Sequence, residues 1–222
     1  MLGTLVNTIS VIVGGTLGSF LGNKLMDNYK KTVMDGLSLA VILIGLDMAL
    51  ETNNIIYIIF SLLLGGLIGE FIRIENKLEM LGNFFESKFA NDSHIADGFI
   101  KCSLIYCVGA MAIMGAIQDG LGQKPTILYT KSLLDGFSAI AFASSFGPGV
   151  ILSSLTILFY QGSISLLAVQ LEMILTNEII TEMSAVGGLL ITAIGFNMLE
   201  ITDLKVGNLL PSVFVIIMLM LI

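Results

Sequence analysis

Oxygen donors collect in the middle of an otherwise apolar chain. Gln118 and Asp119 are followed by Ser138, Ser144 and Ser145, and the first apolar run adds Asn7, Thr8 and Ser10. Hydroxyl, amide and carboxylate oxygens are hard ligands, suited to a cation such as Na+ or to a polar organic solute. No Lys or Arg is expected inside this group to neutralise a bound anion, so a cation, or a solute carried with one, is the preferred ligand. Helix N-termini still offer an anion a place without basic side chains. The competing reading is structural. Serines often bond back to their own helix, and Asp119 and Asp135 would then be caps at the wet interface, paired with Lys131.

A backbone signal accompanies these side chains. Segments 109–120 and 135–149 are rich in small residues and bracket a short loop. Gly147-Pro148-Gly149 must interrupt a helix, because proline lacks the amide donor and glycine tolerates other backbone angles. In hydrocarbon an interrupted helix is tolerated only where protein or a water-filled cavity satisfies the freed groups. A water-accessible cavity bordered by 109–118 and 138–149 is therefore expected near mid-membrane, with Gly147 contributing backbone.

The elements that hold these residues are membrane helices. Hydrophobic residues make up 55% of the chain and charged residues only 12%, against about 25% charged in soluble domains. Mean hydropathy is +0.96. Such a chain is a polytopic, all-α integral membrane protein with the lipid bilayer as its partner. The net charge of -7 belongs to loops, and the few basic residues argue against nucleic-acid binding. Cys102 and Cys107 stand five apart on one apolar segment, a spacing that implies neither a disulfide nor a metal site. The first apolar run begins at Leu2 with no basic residue before it and no cleavage signal after it, as expected of a retained span.

A ruler of about 20 apolar residues per helix gives eight spanning or re-entrant segments: 2–21, 33–50, 55–72, 99–118, 132–146, 149–175, 185–199 and 207–222. Lys24, Lys30, Lys31, Arg73, Lys77, Lys88, Lys101 and Lys205 then fall in loops on one side, with only Lys124 and Lys131 on the other. Positive loops stay in the cytoplasm, which puts both termini outside. Between Ile74 and Phe89 the apolar residues Ile74, Leu78, Leu81, Phe85 and Phe89 keep helical spacing, as in a connector helix lying on the cytoplasmic face. His94, the single histidine, reads as a solvated loop residue, and Glu172 as a group that reaches water.

Two stretches echo each other. Residues 39–48 set against 189–198 match Leu39 with Leu189, Ile44 with Ile194, Gly45 with Gly195 and Met48 with Met198, and place Asp47 opposite Asn197. By the span count the two run in opposite directions. The expected plan is therefore one membrane domain, 1–222, holding an inverted repeat: repeat one over 1–73, a connector over 74–98, interrupted central segments over 99–149, and repeat two over 150–222. Many secondary transporters are built this way, with substrate between the halves. Gly14, Gly18 and Gly22, and likewise Gly65 and Gly69, keep the four-residue spacing that lets helices approach closely, either within the chain or in a homo-oligomer. Hydrolase, metalloprotease and phosphate-loop motifs do not occur, so an enzyme is not expected, and Na+ as coupling ion is the one accessory group implied. The expectation is secondary transport of a small solute or ion, with a passive channel or a membrane scaffold as alternatives.

The segments 107–115, Lys131-Ser132-Leu133-Leu134-Asp135-Gly136-Phe137, Tyr160-Gln161-Gly162 and Asn208-Leu209-Leu210-Pro211 give the chain a resemblance to a known family. Over essentially its whole length it resembles the bacterial YdfK-like membrane proteins, a family catalogued as a domain of unknown function. That resemblance implies a bacterial inner-membrane protein, loosely described as a transporter or as a sodium channel or pump. It implies no ligand residues.

Overall fold

A computed structural model describes residues 1–22, 27–77, 80 and 95–221, with the backbone alone for Asp27 and Lys30. The described secondary structure is all α: α1 (Leu2–Gly22), α2 (Asp27–Leu50), α3 (Ile55–Ile72), α4 (Ile95–Cys107), α5 (Ala110–Gly120), α6 (Thr126–Phe146), α7 (Gly149–Leu166), α8 (Ala168–Ile174), α9 (Asn177–Met198), α10 (Val206–Leu209) and α11 (Ser212–Met220). Most of the expected connector at 74–89, together with Lys24, Lys88 and His94, lies outside the described residues.

Five helices are long and apolar enough to cross a bilayer, and a sixth span arises if α4 and α5 count as one bent helix. The chain is thus a polytopic membrane protein. Several expected boundaries are corrected. Span 99–118 is broken, with a 66° bend at Val108 and Gly109, and Gly109 has φ 133, which a residue with a side chain resists. Span 149–175 ends its first helix at Leu166, and 207–222 divides at Pro211, which has no amide to continue the ladder. Helix α6 begins at Thr126, six residues before the expected start, so Lys131 lies inside a helix and not in an outer loop. The interruption expected at Gly147-Pro148 occurs, with Gly147 at φ 68 ending α6.

Two compact units divide the chain. Unit 1 holds Met1–Leu37 and Leu81–Ile174, and unit 2 holds Ser38–Met80 and Leu175–Ile222.

In unit 1 the glycines of α1 lie on the backbone of α6. A Cβ at Gly14 would strike the carbonyl oxygen of Gly136, one at Gly18 that of Ile140, and one at Gly22 that of Ser144. Both sets advance by four residues in the same direction, so the two helices are parallel and in register over their length. Glycine permits this approach because only its Cα hydrogens face the opposing carbonyls. Helices α4 and α7 are also parallel, with Gly149 against Ile95, Gly98 against Val150, and the Ser103 hydroxyl donating to Thr156 Oγ1 at 3.0 Å. Between the helices Phe142 meets Tyr106 edge-on and stacks on Phe146, each with ring centroids 6.4 Å apart.

Unit 2 joins the two echoing segments. Gly45 packs on Gly188 and Thr192, while Gly195 packs on Ser38 and Ile42. Rising numbers in α2 meet falling numbers in α9, so the helices are antiparallel. Exchanging each residue for its counterpart 150 positions away maps the first contact set onto the second. Helix α3 lies antiparallel to α10 and α11, with Gly65 against Ser212 and Gly69 against Asn208. Asn54 caps the start of α3 by accepting from Ile56 N, and Thr176 caps α9 by accepting from Ile179 N. Glu182, fully buried in α9, accepts from Thr52 Oγ1 at 2.6 Å and Asn53 N at 2.7 Å, which ties down the turn between α2 and α3.

The glycine faces of α1 and α3 are thereby covered inside the chain. That is the first of the two uses the spacing allowed, close approach within the chain.

Candidate functional site

The most chemically loaded place in unit 1 lies where α1, α6 and α7 meet. Lys131 Nζ donates to Asp135 Oδ1 at 3.0 Å, and both residues are less than a tenth exposed. Their four-residue spacing puts them one above the other on one face of α6. Asn7 of α1 donates through Nδ2 to Asp135 Oδ2 at 3.0 Å and to Gln161 Oε1 of α7 at 3.4 Å. Asn7 and Gln161 are completely buried. Two of their atoms, Asn7 Oδ1 and Gln161 Nε2, have no hydrogen-bond partner among the described residues. Asp135 lies near the midpoint of the 21-residue α6, about 14 Å along a helix about 31 Å long at the usual rise.

A second cluster serves the start of α1. Asp119 accepts from Gly3 N at 3.1 Å, Thr4 N at 3.0 Å and Thr4 Oγ1 at 3.1 Å, and the Met1 amine lies 3.0 Å away. These are the orphan amides of a helix N-terminus, where a carboxylate is most favourable. Ser165 stands 3.4 Å from the Thr4 hydroxyl and donates to the Ala116 carbonyl at 2.8 Å.

The structure disperses the sequence-derived candidates. Asn7 joins the charged pair and Asp119 caps α1, while half-buried Gln118 accepts from Ile127 N at 3.4 Å across the α5–α6 turn. Ser138 and Ser144 bond back to the carbonyls of Asp135 and Ala141, at 3.0 and 2.7 Å. Ser145 Oγ is shielded and has no partner among the described residues, and Gly147 forms the turn into α7. Ser144 lies against Gly22 at the far end of α1, well removed from Asn7. An apolar hollow of about 320 Å³ is walled by Ala110, Met111 and Met114 of α5 and by Thr126, Ile127 and Thr130 of α6. Another of about 420 Å³ lies along α7 and α8 near Tyr160 and Leu171. Neither has a wall from 138–149.

One premise fails. Lys131 and Asn7 share Asp135, so the argument that no basic side chain enters the site does not hold. The competing reading pairs Asp135 with Lys131, but at the wet interface, because the apolar ruler starts α6 too late; Gln161 is missed as a single amide in an apolar run. The signal that finds the pair is Lys and Asp at i and i+4 on a membrane helix.

Residues 2–221 match the family described as "Protein of unknown function (DUF554)". The chain is similar to "Uncharacterized membrane protein YdfK" of Bacillus subtilis, at 32% identity over 219 residues, covering 97% of this chain and 93% of that protein. It is also similar to "Uncharacterized protein YqgA" of Escherichia coli, at 30% identity over 219 residues, 96% of this chain and 93% of the relative. No solved structure matches. With the family match running nearly end to end and both relatives aligned over most of their length, this multi-pass membrane protein belongs to the DUF554 family.

Proposed function

We propose that the chain is a secondary transporter, moving a small polar solute or ion across the bacterial inner membrane by alternating access with Na+ as coupling ion. One observation carries the reading: a buried Lys131–Asp135 pair sits mid-helix beside two amides with unused hydrogen-bonding atoms. A charged side chain at the centre of a membrane helix costs about 2.5–3.5 kcal/mol to insert. Apolar residues would hold the helices together at least as well. Such groups mark substrate and ion pathways far more often than scaffolding.

The antiparallel, exchange-related packing of α2 on α9 supports an inverted repeat. Parallel contact of α6 with α1 supports counting α6 as a further crossing, although Lys131, Asp135 and its hydroxyl residues dilute its apolarity. With α6 and the broken α10–α11 segment included, the plan returns to eight spanning or re-entrant segments. The unpartnered Ser145 hydroxyl at the α6–α7 turn is an available oxygen for Na+. Transport is preferred to catalysis because the sequence lacks the nucleophile and metal motifs that membrane hydrolysis needs.

Purified protein in liposomes tests the reading. Tracer Na+ exchange should be saturable, and it should disappear with Asp135→Asn. Unitary current steps in a planar bilayer would assign a channel instead, and absence of both would leave a scaffold. Topology has its own check. A single cysteine at Asp203, in a chain otherwise free of cysteine, should react only from the cytoplasmic side; labelling from outside would undo the inverted arrangement.

A further inference from the structure

We infer that the seat formed by Lys131, Asp135, Asn7 and Gln161 binds a small zwitterion of the α-amino acid class, its carboxylate on Lys131 and its ammonium on Asp135. This rests on the transport reading above for the location of the site, and it goes beyond it in naming the ligand.

The hydrogen-bond inventory leads there. Asn7 Nδ2 faces two acceptors, Asp135 Oδ2 and Gln161 Oε1, which fixes both amide orientations. Asn7 Oδ1 and Gln161 Nε2 are left over, one an acceptor without a donor and the other a donor without an acceptor among the described residues. Lys131 has three N–H groups and uses one of them on Asp135. The cluster thus offers, besides its ion pair, one amide donor and one amide acceptor that it does not use itself. In the proposed complex a carboxylate takes Lys131 and the amide donor, and an ammonium takes Asp135 and the amide acceptor.

Charge decides among ligand classes. The Lys131–Asp135 pair is neutral as a whole and lies in a low-dielectric interior. A lone cation or anion would leave a net charge there, the costliest arrangement for buried ions. A zwitterion inserted between the partners leaves the net charge at zero and replaces one ion pair with two. It also supplies hydrogen bonds to the two amide atoms that now lack them, which is what distinguishes it from a neutral alcohol or sugar. The pair is closed in this structure, so binding requires Lys131 and Asp135 to part.

The test is ligand binding by the purified full chain in detergent, independent of any flux. Thermal unfolding is followed with glycine, L-alanine, L-valine and glycine betaine, and with propionate and ethylamine as analogues carrying one charge. At least one zwitterion with a free ammonium should raise the melting temperature by several degrees at millimolar concentration. The singly charged analogues should need at least tenfold more. Lys131→Leu/Asp135→Leu, which removes both charges together, should stay folded and lose the response. Equal stabilisation by propionate or ethylamine, no response to any of the four zwitterions, or an unchanged response in the double variant would each overturn the proposal; the second result would mean that water fills the seat. Saturable Na+ exchange without zwitterion binding would sink this inference and spare the transport reading. Binding without any flux would do the reverse.

Discussion

Replacing Gly14 and Gly18 together by alanine should strongly destabilise the protein, while the same change at Gly36 should leave it unharmed or slightly firmer. All three glycines sit inside helices, so intrinsic propensity favours alanine at each by about 0.5–1 kcal/mol. Packing separates them. At Gly14 and Gly18 the new methyl groups would meet the backbone carbonyls of Gly136 and Ile140, which cannot swing aside as a side-chain tip can. At Gly36 nothing among the described residues lies within 4 Å. Overpacking of a fitted interface costs about 1–3 kcal/mol per site, and here both sites act on one pair of helices, so a net loss of about 1–4 kcal/mol is expected after the propensity gain. Denaturant unfolding of the purified protein in detergent measures it. Equal stability of the double variant and Gly36→Ala would show that α1 and α6 are not held by backbone contact.

That contact also explains which parts of the architecture were legible in the sequence. Span 55–72 agrees end to end with α3, because both of its limits are written locally: Asn54 caps the start, and Arg73, at φ 57, turns the chain out of the helix at the end. The echo of 39–48 in 189–198 was readable because Gly45 and Gly195 do the same job, each accepting the other helix at close range. Helix α6 was misjudged for a physical reason. A hydropathy ruler scores each residue against lipid, whereas Lys131 and Asp135 face Asn7 and each other. An interruption was expected within 99–149, but nothing local singled out Gly109 among several glycines as the place of the 66° bend.

The candidate site was legible in kind but not in membership. Polar residues in apolar runs pointed to a site, and Asn7 does belong to it. The serines of α6 instead satisfy their own backbone, as hydroxyls on membrane helices commonly do. Asp119 is absorbed by Gly3 and Thr4 because α1 begins beside it, a relation between residues 115 or more apart that no local pattern encodes. Asn197, the counterpart of Asp47 in the echo, accepts from Thr202 Oγ1 and Leu204 N and donates to Leu204 O. Its task is to shape the loop after α9.

The Lys131–Asp135 pair should behave in opposite ways when broken and when removed. Asp135→Leu alone leaves an ammonium buried with no counter-charge, and Lys131→Leu alone leaves a carboxylate. Each should cost about 3–5 kcal/mol, the range for a buried pair stripped of one partner. Removing both lifts the desolvation penalty from both ions, so Lys131→Leu/Asp135→Leu should be within about 1 kcal/mol of the parent, or more stable than it. Asn7 then loses an acceptor but keeps Gln161, which limits what the double change can cost. A thermodynamic cycle over the four proteins, read from denaturant unfolding in detergent, should therefore give a coupling of several kcal/mol. The same double variant should be inactive in every flux and binding assay. Stability retained with function lost is the signature of charges kept for work and not for architecture. A double variant as unstable as the single ones would mean that the pair holds α1, α6 and α7 together, and the case for a site there would fall.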